Sequence, residues 1–345
     1  MTPLITGVDR AALTAWMDRE GLGDGPLSGL DHLAGGTQNI LVRFTRGDRD
    51  YVLRRPPTRK RANSDETMRR EARVLGALRG TTVPCPTLIA HCDDTEVLGA
   101  AFYLMAPVDG FTPTNGLPAD VVGDNEQQHR LGLSLVEGIA ELSRVDVSTP
   151  ALAGFGRREG WLERQVDRWR SQLDGYAQIP GYQVGSLPHV DPIAGWLRRH
   201  RPAQSTAGLL HGDYHFANVM VRHDAPELAA IVDWELSTIG DPLLDLGHLL
   251  ATWPTLQPPE STLGALNLPG LPAESELVEH YARVSGRDVS HLSWFTVLAC
   301  FRLAILLEGS RARAMAGDMP QETGRRLGEM ARSLLQRARD LIDAP

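Results

Sequence analysis

The chain has 345 residues, 42% of them hydrophobic and 23% charged, the balance of a soluble globular protein with material for two cores. Its formal net charge of -8 offers no basic footprint for nucleic acid, so nucleic acid is not an expected partner. Cys85, Cys92 and Cys300 are odd in number and lack metal-site spacing, which argues against a disulfide framework.

The first ten residues lack the charged and apolar regions of a signal peptide, and with the cysteine usage this predicts a cytoplasmic protein with no membrane partner. Residues 30–33, 40–44 and 51–54 then read as three short strands of an antiparallel meander. The first connection, Leu33-Ala34-Gly35-Gly36-Thr37-Gln38-Asn39, is a Gly-rich turn whose amides can approach phosphates closely, because no Cβ intervenes. An ordinary turn has the same composition. Lys60 is the only lysine and no glycine loop precedes it, which excludes a Walker-type phosphate loop and any Schiff-base chemistry that does not use Lys60. Thr58-Arg59-Lys60-Arg61 reads as a solvated loop.

Residues 64–80 predict a helix, with Ser64 as its cap, acids in its first turn, apolar positions at 68, 72, 75 and 78, and Gly80 as its stop. Residues 101–106 form an apolar strand that ends at Pro107 and Gly110. From there the pattern is mostly helical. A periodic segment covers 126–144, and Trp161, Leu162, Gln165, Val166 and Trp169 recur at helical spacing, which means packing. Further helices cover 277–284 and 291–313, with a break at Ser285-Gly286-Arg287. The apolar run 294–307 is too short to span a bilayer and contains Arg302. Arg302, Arg311 and Arg313 read as structural.

Between these helices stands the most informative stretch, His211-Gly212-Asp213-Tyr214-His215-Phe216-Ala217-Asn218, followed by Ile231-Val232-Asp233-Trp234-Glu235. Residues 219–221 and 229–232 are β-prone runs joined by a turn-rich connection, which predicts an antiparallel hairpin. A turn centred between Ala225 and Pro226 sets Asn218 opposite Asp233, with Cα atoms roughly 5 Å apart. An amide oxygen and a carboxylate so placed suit Mg²⁺, a hard cation that prefers oxygen ligands. Asp213, five residues upstream, is a carboxylate that could accept a hydroxyl proton while the metal neutralises phosphates. Phosphoryl transfer follows as the leading reading.

These residues resemble the catalytic loop and metal strand of the aminoglycoside phosphotransferase family, whose pattern is H-G-D-x-x-x-x-N, then an aspartate after a short hairpin, then G-D-P and D-L. Here the last two are Gly240-Asp241-Pro242 and Asp245-Leu246. The run Asp233 to Leu246 also resembles D-W-E-L-S-T-x-G-D-P-x-x-D-L of the subgroup related to the kinase-like domain of acyl-CoA dehydrogenase fusion proteins.

The resemblance implies an α+β, bilobal protein-kinase-like fold. Residues 1–105 would form a small antiparallel β-sheet lobe with one main helix, and 106–345 a larger, mostly helical lobe. It implies Asp213 as catalytic base, Asn218 and Asp233 as metal ligands, and Asp241 and Asp245 as hydrogen-bonding braces. It also implies that Gly35, Gly36, Thr37 and Asn39 cover the nucleotide, and that Met105 and Val108 lie on the adenine side of a hinge. Arg54 fills the slot of the phosphate-binding cation and Glu71 that of its partner; arginine replaces the usual lysine but can contact phosphate in a bidentate way. Arg55 is the alternative if the strand register slips by one. The implied cofactors are ATP, with GTP as alternative donor, and Mg²⁺; the implied partner is a small-molecule hydroxyl acceptor. A hydroxy acid or hydroxyacyl-CoA is the favoured acceptor, and an aminoglycoside or other amino alcohol or sugar the alternative.

Two other readings stay open. His211, Asp213 and His215 with Asp233 could hold zinc in a hydrolase, although two histidines in a loop lack the helix of H-E-x-x-H. A catalytically idle nucleotide-binding module is the second.

Overall fold

The structure, a computed structural model, describes residues 7–33, 39–256, 266 and 268–344. In chain order the first elements are α1 (Arg10–Arg19), β1 (Leu27–His32), β2 (Ile40–Arg46), β3 (Arg49–Arg55), α2 (Ser64–Ala77), β4 (Leu88–Cys92), α3 (Thr95–Leu98) and β5 (Phe102–Met105). Helices α4 (Ala119–Val122), α5 (Asn125–Ser143), α6 (Trp161–Gly175) and α7 (Val190–Arg199) follow, then strands β6 (Gly208–Leu210), β7 (Val219–Val221), β8 (Leu228–Ile231) and β9 (Thr238–Gly240). The chain closes with α8 (Leu243–Ala251), α9 (Glu274–Ser285), α10 (Leu292–Met315) and α11 (Gln321–Asp343). The class is α+β, as expected.

Two compact units emerge, neither contiguous in sequence. One takes the described residues of Met1–Thr112 together with Ser148–Phe155 and Asn218–Ser237. The other takes Pro113–Val147, Gly156–Ala217 and the described part of Thr238–Pro345. A single cut at 105/106 does not provide for the two returns, and their cause is local hydrogen bonding. Arg70 on α2 donates to Phe155 O (3.2 Å) and Ser237 O (3.1 Å), and its guanidinium lies over the Phe155 ring. Arg73, one turn on, donates to Ala151 O at 2.7 Å. The β7–β8 hairpin is tied in by Ile231 N to Pro84 O (2.8 Å) and by a two-bond bridge between Phe111 and Val221.

The first unit is built on an antiparallel sheet of order β1-β2-β3-β5-β4. Its alternating side chains serve two helices. Leu13, Trp16 and Met17 of α1 join Phe44, Tyr51, Leu53 and Phe102 in one core, where Trp16 meets Phe102 edge to face. Helix α2 buries Met68, Ala72 and Leu75, three of the four predicted apolar positions, and Leu78 at its C-cap is buried too. Its cap differs from expectation. Asn63 is the N-cap residue and Ser64 the first helical one, because the Ser64 hydroxyl accepts from Arg61 N (3.0 Å) and closes the preceding turn. Helix α1, capped by Asp9, carried no expectation, its apolar stripe being only three residues.

In the second unit α10 packs against α8 and α11, and α5 against α9. Among the described residues α10 is the one helix long and apolar enough to cross a membrane, yet 83% of its most apolar stretch is buried inside the protein. Trp161, Leu162, Gln165, Val166 and Trp169 are all buried on α6, as their spacing predicts. Gly286 ends α9 with φ 69°, at the predicted break. Strands β6 and β9 pair Gly208 with Gly240 and Leu210 with Thr238, so the start of β6 lies beside the residues that lead into α8 and the loop after β6 leaves beside the start of β9.

Candidate active site

In the first unit, register decides which charges meet. Arg54 on β3 is directly opposite Tyr103 on β5, so both side chains emerge on the same face of the sheet. That face meets α2, where Glu71 occupies one position of the buried stripe and is 0% exposed. Arg54 Nε lies 3.0 Å from Glu71 Oε2, Arg54 Nη2 is 2.5 Å from Asp233 Oδ1, and the Tyr103 hydroxyl donates to Glu71 Oε2 at 2.9 Å. Burial alone would lower the Arg54 pKa, but Tyr103, Glu71 and Asp233 outweigh it and keep the guanidinium charged. Burial likewise pushes the Glu71 carboxyl up; with two guanidinium contacts and a phenol donor on it, we take the pair as ionised. Arg54 rather than Arg55 therefore stands with Glu71. Arg55, next along β3, projects from the opposite face.

Asp233 is reached by a hairpin whose register differs from the predicted one. Val219 pairs with Ile231 and Met220 with Ala230, and Val232 N donates to Asn218 O at 2.9 Å, so Asn218 faces Val232 and Asp233 lies one residue beyond. The slip starts at the turn, where Val221 pairs with Leu228 and Arg222 N donates to Glu227 O, so the loop is centred between Asp224 and Ala225, one residue before the predicted centre; the bulge between Met220 and Val221 then makes up part of the difference. Asp233 has φ 69°, one of two non-glycine residues with positive φ among those described, and this left-handed turn frees its side chain from strand alternation. Glu235 follows, and one carboxylate oxygen each from Glu71, Asp233 and Glu235 lie within 4.8 Å of one another. Asn218 and Asp233 remain an amide and a carboxylate at the base of one ribbon, a donor set that fits Mg²⁺ chemically.

In the second unit, the loop after β6 is fastened from below. Buried Asp245 on α8 accepts from His211 N (2.7 Å) and Gly212 N (2.8 Å), and His211 Nδ1 accepts from Asp213 N (3.2 Å). Gly212 has φ 83°, a turn that favours glycine. Asp241 accepts from Ser205 Oγ, Thr206 N and Leu243 N, bracing the start of α8. The Asp213 carboxylate is 26% exposed, 3.6 Å from His215 Nε2 and 3.4 Å from His248 Nε2. Burial acts to raise the Asp213 pKa, but His215 and Arg302 hold it well below the ordinary carboxylate range. Asp213 is thus a carboxylate, not an acid, at neutral pH.

His215, Asp213 and His248 have metal-like proximity, but the tautomer opposes zinc. Ala217 N donates to His215 Nδ1 at 3.1 Å, so in the neutral ring the proton sits on Nε2, the nitrogen that faces Asp213. A ligating histidine does the reverse, donating from its second nitrogen.

Gly35, Gly36 and Thr37 lie outside the described residues, and Asn39 immediately precedes β2. Met105 is buried at the end of β5, with Val108 half-buried after it. Tyr103 and His248 carried no expectation: both sit in apolar runs, and a lone polar residue there reads as core. The available signals were the one-residue offset of Tyr103 from the buried apolar face of β5 and the i, i+3 spacing of His248 from Asp245.

A five-stranded antiparallel sheet with one charged helix partner in the first unit, and a mostly helical second unit, define a kinase-like fold. The chain belongs to the phosphotransferase enzyme family, whose pattern matches residues 30–284. It is 30% identical to acyl-CoA dehydrogenase family member 11 of Gallus gallus over 316 residues, covering 89% of this chain and 39% of that protein. With member 10 of Mus musculus it shares 26% identity, over 88% of this chain and 28% of the relative. The chain thus spans well under half the length of these relatives. Among solved structures, a Ralstonia eutropha protein provisionally called an aminoglycoside phosphotransferase is 27% identical with a TM-score of 0.76, over 96% of this chain and 98% of that one. The GDP complex of aminoglycoside 2'-phosphotransferase-IIIa matches in fold, with a TM-score of 0.64 at 19% identity over 96% and 99% of the two chains.

Proposed function

We propose that the protein is an ATP- and Mg²⁺-dependent O-phosphotransferase that moves the γ-phosphoryl group to a hydroxyl of a small molecule, with a hydroxy acid or hydroxyacyl-CoA as the acceptor class. The observation that carries this reading is Asp213, kept ionised by His215 and Arg302 on a loop whose backbone Asp245 fixes. The acceptor hydroxyl donates to the Asp213 carboxylate. As the bond from its oxygen to the γ-phosphorus forms and the bond to the β–γ bridging oxygen breaks, the hydroxyl proton passes to Asp213 and ADP leaves. A carboxylate with such low proton affinity orients the alcohol first and takes the proton late. Arg54, charged and aimed by Glu71, binds the α and β phosphates. Mg²⁺, when bound, would neutralise phosphate charge, and Asn218 and Asp233 are its oxygen donors. Gly35, Gly36, Thr37 and Asn39 cover the nucleotide in this reading, and Met105 and Val108 flank the base. Three cysteines in no disulfide support a cytoplasmic setting.

The acceptor class rests on the subgroup likeness, since the activities of the longer relatives do not transfer to a chain spanning 28–39% of them. The test is phosphate transfer from ATP, and from GTP in parallel, to a panel of hydroxy acids, their CoA esters and kanamycin. Asp213→Asn is expected to retain nucleotide binding and lose about 10²- to 10⁴-fold in turnover. Equal turnover by both proteins removes Asp213 from the mechanism, and phosphorylated kanamycin beside untouched hydroxy acids reverses the acceptor.

A further inference from the structure

Around Asp213 the second unit gathers donors that its own hydrogen bonds do not use. His248 on α8 is 0% exposed, and neither ring nitrogen has a hydrogen-bond partner among the described residues; the 3.4 Å approach to Asp213 lacks hydrogen-bond geometry. Arg302 on α10 is 4% exposed and its Nη1 is buried without a partner. Its guanidinium lies 5.2 Å from the Trp169 ring centroid, a contact with the ring face that spends none of its N–H groups. The charge of Arg302 is felt at Asp213, Asp245 and His248, so these groups share one neighbourhood.

Arg302 thus has its charge offset by two carboxylates at a distance while its hydrogen-bonding capacity goes unspent. Leaving buried donors unmade costs about 1–3 kcal/mol each, and a planar guanidinium fork matches the two oxygens of a carboxylate. Of the two carboxylates, Asp245 is spent on His211 N and Gly212 N, and the chemistry reserves Asp213 for an alcohol.

We propose that Arg302, aided by His248, binds an anionic oxygen-bearing group of the acceptor, so that the molecule presenting its hydroxyl to Asp213 carries a carboxylate. The assignment rests on the reading of Asp213 as the base, and it makes Arg302 a specificity-determining residue rather than the structural one its sequence context suggests.

Two measurements test it separately from that reading. In the first, sodium butyrate and inorganic phosphate are each titrated against thermal unfolding of the wild-type protein, Arg302→Met and His248→Phe. Butyrate is expected to raise the wild-type melting temperature and to leave Arg302→Met unmoved, with His248→Phe between them. In the second, 2-, 3- and 4-hydroxybutyrate are compared with the corresponding hydroxybutyramides as acceptors. Wild type is expected to favour the best acid over its amide roughly 10- to 100-fold in kcat/KM. Arg302→Met should bring the pair within about threefold through KM, with the KM for ATP unchanged, and Arg302→Lys should restore part of the preference. Equal use of acid and amide by wild type, or the same preference in Arg302→Met, overturns the proposal. Protection by phosphate alone that vanishes in Arg302→Met also overturns it, assigning the donors to the transferring phosphoryl group. Arg302-dependent protection by butyrate with no transfer to any alcohol upholds the anion site and fails the phosphotransfer reading instead. Should Arg302→Met not fold, His248→Phe, which removes no hydrogen bond, carries both comparisons.

Discussion

Glu71 is a carboxylate in the middle of an apolar helical stripe, and the charge it holds in place is equally buried. Removing one partner of such a pair leaves the other uncompensated, which costs more than the intact pair contributes. Glu71→Ala is therefore expected to destabilise the protein by about 3–5 kcal/mol in urea titrations. Tyr103→Phe, which removes one hydrogen bond and leaves the ion pair, should cost about 1–2 kcal/mol. A Tyr103→Phe loss as large as that of Glu71→Ala would mean that Arg54 relies on Asp233 instead. The Arg54 and Glu71 slots came from the family resemblance, and the structure pairs the two side chains. Tyr103 was not legible in the sequence, since only the β3–β5 register brings it opposite Arg54.

At the scale of elements, the β7–β8 ribbon shows where pattern reading stops. Its two apolar runs and turn-rich connection sufficed to predict a hairpin, but the turn is centred one residue earlier than predicted and a bulge makes up only part of that shift, and alternation of side chains carries no trace of either. The ribbon is also held from outside. A Cβ at Gly110 would lie 2.5 Å from Val221 O and 3.0 Å from the Ala229 Cβ, so only glycine allows the Phe111–Val221 bridge to close. Gly110→Ala is expected to cost about 1–3 kcal/mol and to speed amide exchange at Phe111 and Val221, where hydrogen-exchange mass spectrometry would read it. Unchanged protection at both amides would show that the bridge does not fasten the ribbon.

For the molecule as a whole, the buried histidine sets an acid limit to stability. In the unfolded chain His248 titrates near its ordinary value, whereas burial holds it down to about 3 in the folded protein. Between those values the unfolded chain binds more protons, so stability rises with pH across that window and declines as the solution is acidified. The loss should reach about 2 kcal/mol by about pH 5. His248→Phe is expected to flatten the acid side of the melting-temperature profile, and because both ring nitrogens lack partners it should not lower stability near neutrality. Asp213, His211, His215 and Arg302 surround His248 in both proteins, so their difference reports His248. Parallel profiles would mean that water reaches the imidazole.

The sequence by itself determined the helices with a clear apolar stripe, because periodicity is written within a few turns of chain, and its motif spacing carried the family resemblance that implied the α+β class and singled out Arg54, Glu71, Asp213, Asn218 and Asp233. Only the tertiary structure decided that two later segments return to the first unit, that Asn218 faces Val232, and that His248 and Arg302 gather about Asp213. Those outcomes depend on side chains from helices far apart in the chain, such as α8 and α10, and on backbone bonds from Arg70 and Pro84. No local pattern encodes which distant acceptor a buried donor will find, or that it will find none.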